Sequence, residues 1–86
     1  MTQEWFFYIV RCRDDSLYSG ITVDIEKRLR EHNKGTGARY TSARRPITLV
    51  YSEKYGNMSE ARKREEQIKG WSKIMKERLI ERTRSE

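Results

Sequence analysis

The sequence predicts an α/β domain of the α+β kind, in which a three-stranded antiparallel sheet is flanked by helices in the order β-β-α-β-α-α. Two short runs of aromatic and β-branched residues, at 5–12 and 17–21, are separated only by a polar turn, which is typical of a hairpin. A third run of this kind lies at 47–53. The segments on both sides of that run carry helix caps and apolar residues three and four positions apart.

The 86-residue chain is long enough for one domain, and a domain of this size buries only about 60% of the surface that its unfolded chain exposes. Charged residues make up 37% of the chain, so much of every helix must face water. The single cysteine, Cys12, excludes an internal disulfide. No signal peptide and no apolar run of the ~20 residues that span a bilayer can be recognised. We therefore expect a single soluble, cytoplasmic domain over 1–86 with a frayed tail at 82–86 and no contact with membranes.

The register of the hairpin decides where its tyrosines point. A register that places Tyr8 opposite Gly20 also places Val10 opposite Tyr18, so that both phenols share one face of the sheet. Gly20 then leaves open space beside Tyr8. The alternative is that the two tyrosines are ordinary cross-strand aromatics, which strands favour.

A helix follows the hairpin. Thr22 or Asp24 can cap its start, and Gly35 ends it after about Lys34. On this helix Ile25, Leu29 and His32 form one stripe.

Arg28 lies one turn before His32 and borders the same stripe, close to where the hairpin must pack. Both residues are therefore candidates for a site. The alternatives are a histidine satisfied at a helix end and an arginine whose side chain extends to water.

Residues 35–46 form a loop by their glycine and proline content. The formal net charge is +6, and the excess lies at 25–46, which hold seven basic and two acidic side chains. Such a segment suits a phosphate backbone and an exposed base. The candidate nucleic-acid-binding residues are Lys34, Arg39, Tyr40, Arg44 and Arg45. A solvated loop of a generally basic protein is the alternative.

The strand at 47–53 is apolar on both faces for much of its length, so we expect it to be covered on two sides. A last helix over about 72–81 carries Ile74, Met75 and Leu79 on one face, and Trp71 anchors the junction before it.

A carboxylate interrupts the core-facing stripe of the helix that begins at Asn57. Asn57 and Glu60 have the spacing of a capping box. The stripe that follows consists of Met58, Ala61, Glu65 and Ile68. A carboxylate amid such a stripe is costly unless it is paired, protonated or metal-bound. The alternative to a metal is a salt bridge from Glu65 to Arg28 or to a nearby lysine.

The ordered set of Tyr8, Tyr18, Gly20, Arg28 and Glu65 resembles the GIY-YIG nuclease superfamily, and the resemblance covers about 5–80. It is strongest to small stand-alone bacterial members. The segments shared with them are Tyr-Ser-Gly-Ile-Thr at 18–22, His-Asn at 32–33, Tyr-Thr at 40–41, Arg-Pro at 45–46, Arg-Glu at 64–65 and Ile-Lys at 68–69.

The resemblance implies a role for each matched residue. Tyr8 and Tyr18 stand for the two motif tyrosines, Arg28 for the catalytic arginine, and Glu65 for the carboxylate that holds a single Mg²⁺ or Mn²⁺. His32 matches a histidine that some members use. The implied partner is nucleic acid, most of all DNA. For a small single domain we expect recognition to be weak or structure-based, or to depend on a protein partner.

The chain departs from the family pattern at three points. The first motif reads Phe6-Phe7-Tyr8, without the glycine or isoleucine before the tyrosine. Ile21 stands where excision-repair members carry a lysine. The asparagine that often follows the glutamate-bearing helix has no clear counterpart.

Two routes can activate a water for attack on a phosphodiester. With a pKa of about 10, roughly one free phenol in a thousand is ionised at pH 7, and Arg28 or a metal could raise that fraction. Alternatively, Tyr8 passes the proton of the water on to His32. Arg28 could instead grip the phosphate oxygens. The other functions compatible with the sequence are a non-catalytic DNA- or RNA-binding module and a protein-interaction domain.

Overall fold

The computed structural model describes residues 3–84 and confirms the predicted fold class. The elements are β1 (Trp5–Arg11), β2 (Leu17–Thr22), α1 (Ile25–Lys34), α2 (Arg39–Ser42), β3 (Thr48–Tyr55), α3 (Met58–Lys69) and α4 (Lys73–Arg84). Apart from the short α2, this is the predicted order of strands and helices. Over the described residues, no helix has the length and apolar character needed to cross a membrane.

The three strands form an antiparallel sheet in the order β2-β1-β3, so β1 is central. The predicted hairpin register is confirmed, with Tyr8 opposite Gly20 and Val10 opposite Tyr18. The hairpin closes where the Cys12 N–H donates to the Ser16 carbonyl at 2.9 Å. Both phenols therefore start from the same face of the sheet.

The two faces of the sheet carry separate cores. On one face Phe7 and Ile9 pack with Ile68 of α3 and Ile80 of α4. On the other face the core residues are Tyr8, Val10, Cys12 and Ile47, with Leu29 of α1 packed against them. Helices α1 and α3 thus lie on opposite faces. β3 contributes Val50 to the first core and Leu49 to the second, as its apolar sequence predicts.

The ends of α1 follow from its capping residues. The Asp24 side chain accepts the Lys27 N–H at 3.0 Å. Gly35 adopts a left-handed conformation with φ 86°, and its N–H donates to the His32 carbonyl at 3.2 Å. At α3, the Asn57 side chain accepts the Glu60 N–H at 2.9 Å. These caps confirm the predicted helix starts.

The prediction that 35–46 is entirely loop is wrong at α2. One helical turn forms there, in which the Ser42 N–H donates to the Ala38 carbonyl at 3.0 Å. The hydroxyl of Thr41 donates to the same carbonyl at 3.1 Å. Local hydrogen bonds of short polar residues therefore outweigh the glycine and proline signal.

The predicted apolar faces of the last two helices are wrong in part. Met58 is exposed at the start of α3, and Ile74 and Met75 are 66% and 45% exposed on α4. Of the three residues predicted for the packing face of α4, Leu79 does pack against the first core, and it is joined there by Ile80.

Ion pairs to the hairpin hold α4 in this orientation. Arg11 donates to both carboxylate oxygens of Glu77 at 2.6 and 2.7 Å, and Lys73 lies 3.0 Å from Asp15. Trp71 packs against the first core at the junction, as predicted. The helix continues through Arg84, past position 82 where fraying was predicted, and 85–86 lie outside the described residues.

Candidate active site

The phenol of Tyr8 lies directly over Gly20 on the neighbouring strand. Tyr8 is only 3% exposed. A Cβ at position 20 would come within 2.5 Å of the Tyr8 oxygen and 2.7 Å of its Cζ. Only glycine leaves room for the phenol at this point of the sheet.

His32 is fully buried at the end of α1 and contacts this phenol. Its Nε2 lies 2.9 Å from the Tyr8 oxygen, and its Nδ1 lies 2.8 Å from Oγ1 of Thr41. Gly37 packs against the ring, since a Cβ there would lie 2.6 Å from Nδ1. The imidazole therefore has a polar partner on each nitrogen and no exposure to water.

Tyr18 packs against one side of the His32 imidazole. Its ring meets His32 edge-on, with centroids 5.5 Å apart and an interplanar angle of 70°. It also stacks on Tyr40 of α2 at 5.9 Å and 20°. The Arg44 guanidinium lies 3.9 Å from the Tyr40 ring centroid. A row of aromatic and cationic groups thus leads from the surface to His32.

Arg28 reaches the same region from α1. Its Nη1 donates to Glu31 at 3.2 Å and its Nη2 to the Gly37 carbonyl at 3.0 Å. Arg28 also lines an open groove of about 280 Å³, together with Trp5 and Lys27. The groove gives a ligand access to the guanidinium.

The environment sets opposite pKa shifts on the two central groups. Burial raises the pKa of Tyr8 above 10.0, although Arg28 opposes this shift. Burial, followed by the charge of Arg28, lowers the pKa of His32 below 6.5. At neutral pH both groups are therefore uncharged. A neutral phenol beside a neutral imidazole favours proton relay over a standing phenolate.

Glu65 lies on α3, across the sheet from α1. Its side chain is 17% exposed, and Lys69 pairs with it at 3.5 Å, so its ion-pair partner is a nearby lysine and not Arg28. Its charge raises the pKa of Tyr8, as the smallest of five influences that are led by burial. The structure thus brings Tyr8, Tyr18, Arg28 and His32 together, and connects Glu65 to them only through charge.

Glu65 is the one predicted metal ligand. Among residues 3–84, no group of three or more His, Cys, Asp or Glu side chains is placed to hold a metal ion. Mg²⁺ often uses one or two carboxylates and keeps waters and substrate phosphate as its other ligands. A single partly buried carboxylate fits this mode of coordination, so Glu65 is compatible with one hard divalent cation.

The predicted nucleic-acid-binding residues differ in how they are engaged. Lys34 and Arg39 are exposed. Arg44 lies 3.1 Å from Asp14, and Arg45 donates to the Ser42 carbonyl at 2.8 Å. The last two arginines therefore also hold the loop in place.

Sequence reasoning missed Thr41 and Gly37, which enclose His32, and Trp5 and Lys27, which line the groove beside Arg28. Gly37 in a Gly-Thr-Gly run was a usable signal for close approach of another group. For Thr41 the signal was the Tyr-Thr pair at 40–41 shared with family members, but that pair suggested no role because the segment was interpreted as exposed loop.

Comparison with known proteins gives one consistent family. The model of the GIY-YIG catalytic domain matches residues 4–78. A UPF0213 protein of Staphylococcus saprophyticus is 53% identical over 75 residues, which cover 87% of this chain and 92% of that protein. A UPF0213 protein of Staphylococcus haemolyticus is 49% identical over 76 residues, covering 88% and 93%.

Two solution NMR structures resemble the chain. One is a UPF0213 protein from Bacillus halodurans, with a TM-score of 0.59, 36% identity and coverage of 91% of this chain and 83% of that one. The other is a protein from E. faecalis, with a TM-score of 0.65, 37% identity and coverage of 100% and 94%.

Proposed function

The chain belongs to the GIY-YIG family, a nuclease superfamily, and from this membership we propose that it is a metal-dependent endonuclease that hydrolyses phosphodiester bonds in DNA. The observation that carries the proposal is the buried pair of Tyr8 and His32, whose oxygen and Nε2 are 2.9 Å apart. Because both groups are buried, their pairing contributes nothing to solubility. A phenol hydrogen-bonded to an imidazole does suit proton transfer at neutral pH.

Tyr8 and His32 activate the attacking water in this proposal. The phenol accepts a proton from the water while its own proton passes to Nε2 of His32. The raised pKa of Tyr8, which results first from burial, keeps the phenol protonated until attack. The lowered pKa of His32, caused by burial and then Arg28, keeps Nε2 able to accept. Tyr18 holds the imidazole from the side.

Arg28 acts as the phosphate clamp. A guanidinium has five N–H donors, and two of its nitrogens are already oriented by Glu31 and the Gly37 carbonyl. In this proposal Arg28 contacts a phosphate that enters the adjoining groove, which its side chain lines. Bidentate contact of this kind positions the phosphate and stabilises charge on its oxygens.

Glu65 would hold the Mg²⁺ or Mn²⁺ ion, since family members generally use divalent metals and this carboxylate fits one hard cation. A divalent cation supplies Lewis-acid stabilisation of the leaving oxygen. A cation that binds Glu65 must displace Lys69. This exchange is possible because the ion pair is long, at 3.5 Å, and the lysine is 59% exposed, so the pair is weak.

DNA is the proposed substrate, bound through Lys34, Arg39, Tyr40, Arg44 and Arg45 beside the site. We propose that this small domain recognises DNA by its structure or with specificity supplied by a protein partner. A cytoplasmic setting is part of the same proposal.

A non-catalytic DNA- or RNA-binding module is the second candidate. The observation in its favour is that Glu65 has an intramolecular partner, Lys69, and lies across the sheet from the phenols. In that case the fold and the basic loop would serve binding alone.

Cleavage of labelled single-stranded, duplex and branched DNA with Mg²⁺ or Mn²⁺ separates the two candidates. We expect Tyr8→Phe and Glu65→Gln each to lower the rate by about 100-fold or more, while circular dichroism shows both folded. Glu66→Gln changes the exposed neighbouring carboxylate and should cut at the wild-type rate.

Cutting that survives both active-site changes would contradict the assigned roles. Binding without cutting in either metal would establish the second candidate.

A further inference from the structure

Thr41 is fully buried and forms two hydrogen bonds through a single hydroxyl. Its Oγ1 lies 2.8 Å from Nδ1 of His32 and 3.1 Å from the carbonyl oxygen of Ala38. The one turn of α2 brings this carbonyl to the hydroxyl, because Ala38 is three residues before Thr41.

The direction of these bonds is determined by chemistry. A carbonyl oxygen only accepts hydrogen bonds, so the hydroxyl of Thr41 must donate to Ala38. A hydroxyl has one proton, so towards His32 the Thr41 oxygen must accept. Nδ1 of His32 therefore carries the ring proton. In a neutral imidazole the other nitrogen, Nε2, is then bare and accepts the O–H of Tyr8.

We propose that Thr41 is a positioning residue that fixes the Nδ1–H tautomer of His32, so that Nε2 is always the nitrogen that takes the proton from Tyr8. The tautomer follows from the geometry alone, whereas its catalytic use rests on the proposed nuclease function.

Every proton in the reaction can be accounted for while Thr41 keeps the same position and the same hydrogen bonds. As the water oxygen bonds to phosphorus, one water proton passes to the Tyr8 oxygen and the phenol proton passes to Nε2. The bond from phosphorus to the leaving oxygen breaks, and that oxygen is protonated by solvent. His32 is then an imidazolium that donates Nδ1–H to Thr41 and Nε2–H to Tyr8, until the extra proton returns by way of Tyr8. The Thr41 oxygen accepts in both states, so no rearrangement is needed.

The opposite tautomer would stop this relay. With the proton on Nε2, His32 would donate to the Tyr8 oxygen and could not receive a proton from it. The Thr41 oxygen disfavours the Nε2–H tautomer because it accepts a hydrogen bond from Nδ1–H. Valine has nearly the same volume as threonine but lacks this acceptor. A buried Nδ1–H without a partner is unfavourable, so the ring should exchange its proton to Nε2.

The test uses the fact that the chain contains one histidine. With ¹⁵N-labelled histidine, a long-range ¹H–¹⁵N spectrum at neutral pH reports which ring nitrogen is protonated, without overlap. We expect Nδ1–H in the wild type and in Thr41→Ser, and a shift to Nε2–H in Thr41→Val. Thr83→Val on α4 removes a hydroxyl that donates to the Leu79 carbonyl, and should leave the spectrum unchanged.

A wild-type spectrum with the proton on Nε2 would overturn the proposal, and it needs no variant to fold. A Thr41→Val spectrum identical to the wild type would overturn it as well.

Cleavage rates then test the catalytic part. We expect Thr41→Val to lose about 100-fold in rate and Thr41→Ser to stay within about tenfold of the wild type. Full activity in Thr41→Val despite a switched tautomer would overturn the positioning role. A wild type that cuts no DNA would overturn the nuclease function, and the spectra would still decide the tautomer.

Discussion

The Tyr8 phenol fits against β2 because position 20 carries no Cβ. In Gly20→Ala the new Cβ would lie 2.5 Å from the Tyr8 oxygen, so the phenol must shift from the position in which it contacts His32. We expect a loss of about 1–3 kcal/mol in the free energy of unfolding, and a fall in cleavage of about 100-fold. Urea unfolding and the DNA cleavage assay measure the two effects.

Gly56→Ala is the matched control for this substitution, because no atom lies within 4 Å of a Cβ at that position. Equal stability and equal cleavage in the two variants would contradict the contact with Tyr8.

The protonation of His32 makes stability depend on pH in a defined direction. Its pKa in the folded chain is below the ordinary 6.5, because of burial and then Arg28, with Glu31 opposing. The unfolded chain therefore binds a proton at higher pH than the folded chain. The free energy of unfolding should be constant above about pH 7.5 and fall below it, by about 1.4 kcal/mol for each unit between the two pKa values.

Urea unfolding between about pH 8 and pH 5.5 measures this slope. The carboxyl groups with lowered pKa values, such as Glu53 and Glu77, titrate below 4.5 and stay outside the window. His32→Gln is expected to be less stable overall but flat over the same range. Stability that rises as the pH falls would contradict the assignment.

At the scale of elements, a half-buried carboxylate on β3 holds α3 and thereby the orientation of Glu65. Glu53 accepts from the hydroxyls of Tyr51 and Tyr55, and from Nε of Arg64 at 2.9 Å. Arg64 precedes Glu65 in the chain, so this contact sets the rotation of the helix. Burial and then Glu53 raise the pKa of Tyr55 to about 12, so its hydroxyl remains a donor.

Glu53→Gln keeps the shape but removes the charge. We expect a loss of about 2 kcal/mol, because hydrogen bonds to a charged group contribute about 1.5–3 kcal/mol. Thermal unfolding followed by circular dichroism measures this loss. Glu66→Gln removes an exposed charge from α3 and should change stability little. If the two variants unfold at the same temperature, Glu53 does not hold the helix.

Local signals explain why α1 was predictable and why the buried face of α4 was not. Asp24 and Gly35 lie within a residue of the ends of α1, and the stripe that ends in His32 has helical spacing. The rotation of α4 depends on Glu77 meeting Arg11, which lies 66 positions away, and no local pattern records that pair. The role of Thr41 could not be predicted for the same reason, because that role depends on a contact with His32 on another element.

At the scale of the molecule, the sheet divides the proposed site into two halves. Tyr8, Tyr18, Arg28, His32 and Glu65 were predicted to share one pocket, and the confirmed register together with α1 brings the first four of them to one face. Glu65 was chosen because a carboxylate interrupts a core stripe. That pattern indicates partial burial but not which face of the sheet the helix covers, so its role with a metal stays a prediction.

The net charge of +6 predicts salt-dependent binding of DNA, and the structure indicates which cations should matter. Lys34 at the end of α1 and Arg39, which precedes Tyr40 in α2, are both exposed. Replacing both with alanine should weaken binding and reduce the slope of log affinity against log salt by about two, or about one for each phosphate contact. Fluorescence anisotropy of labelled DNA at several salt concentrations measures the slope.

The matched control replaces Arg62 and Lys63, two exposed cations of α3, which lies across the sheet from α1. Both double variants lose the same two charges, so a general effect of net charge would lower the two slopes equally. A local phosphate-binding surface lowers only the slope of the Lys34 and Arg39 variant. Equal slopes would therefore contradict binding through the loop. A steep salt dependence of DNA binding by the wild type would exclude a protein-interaction domain whose charge serves only solubility.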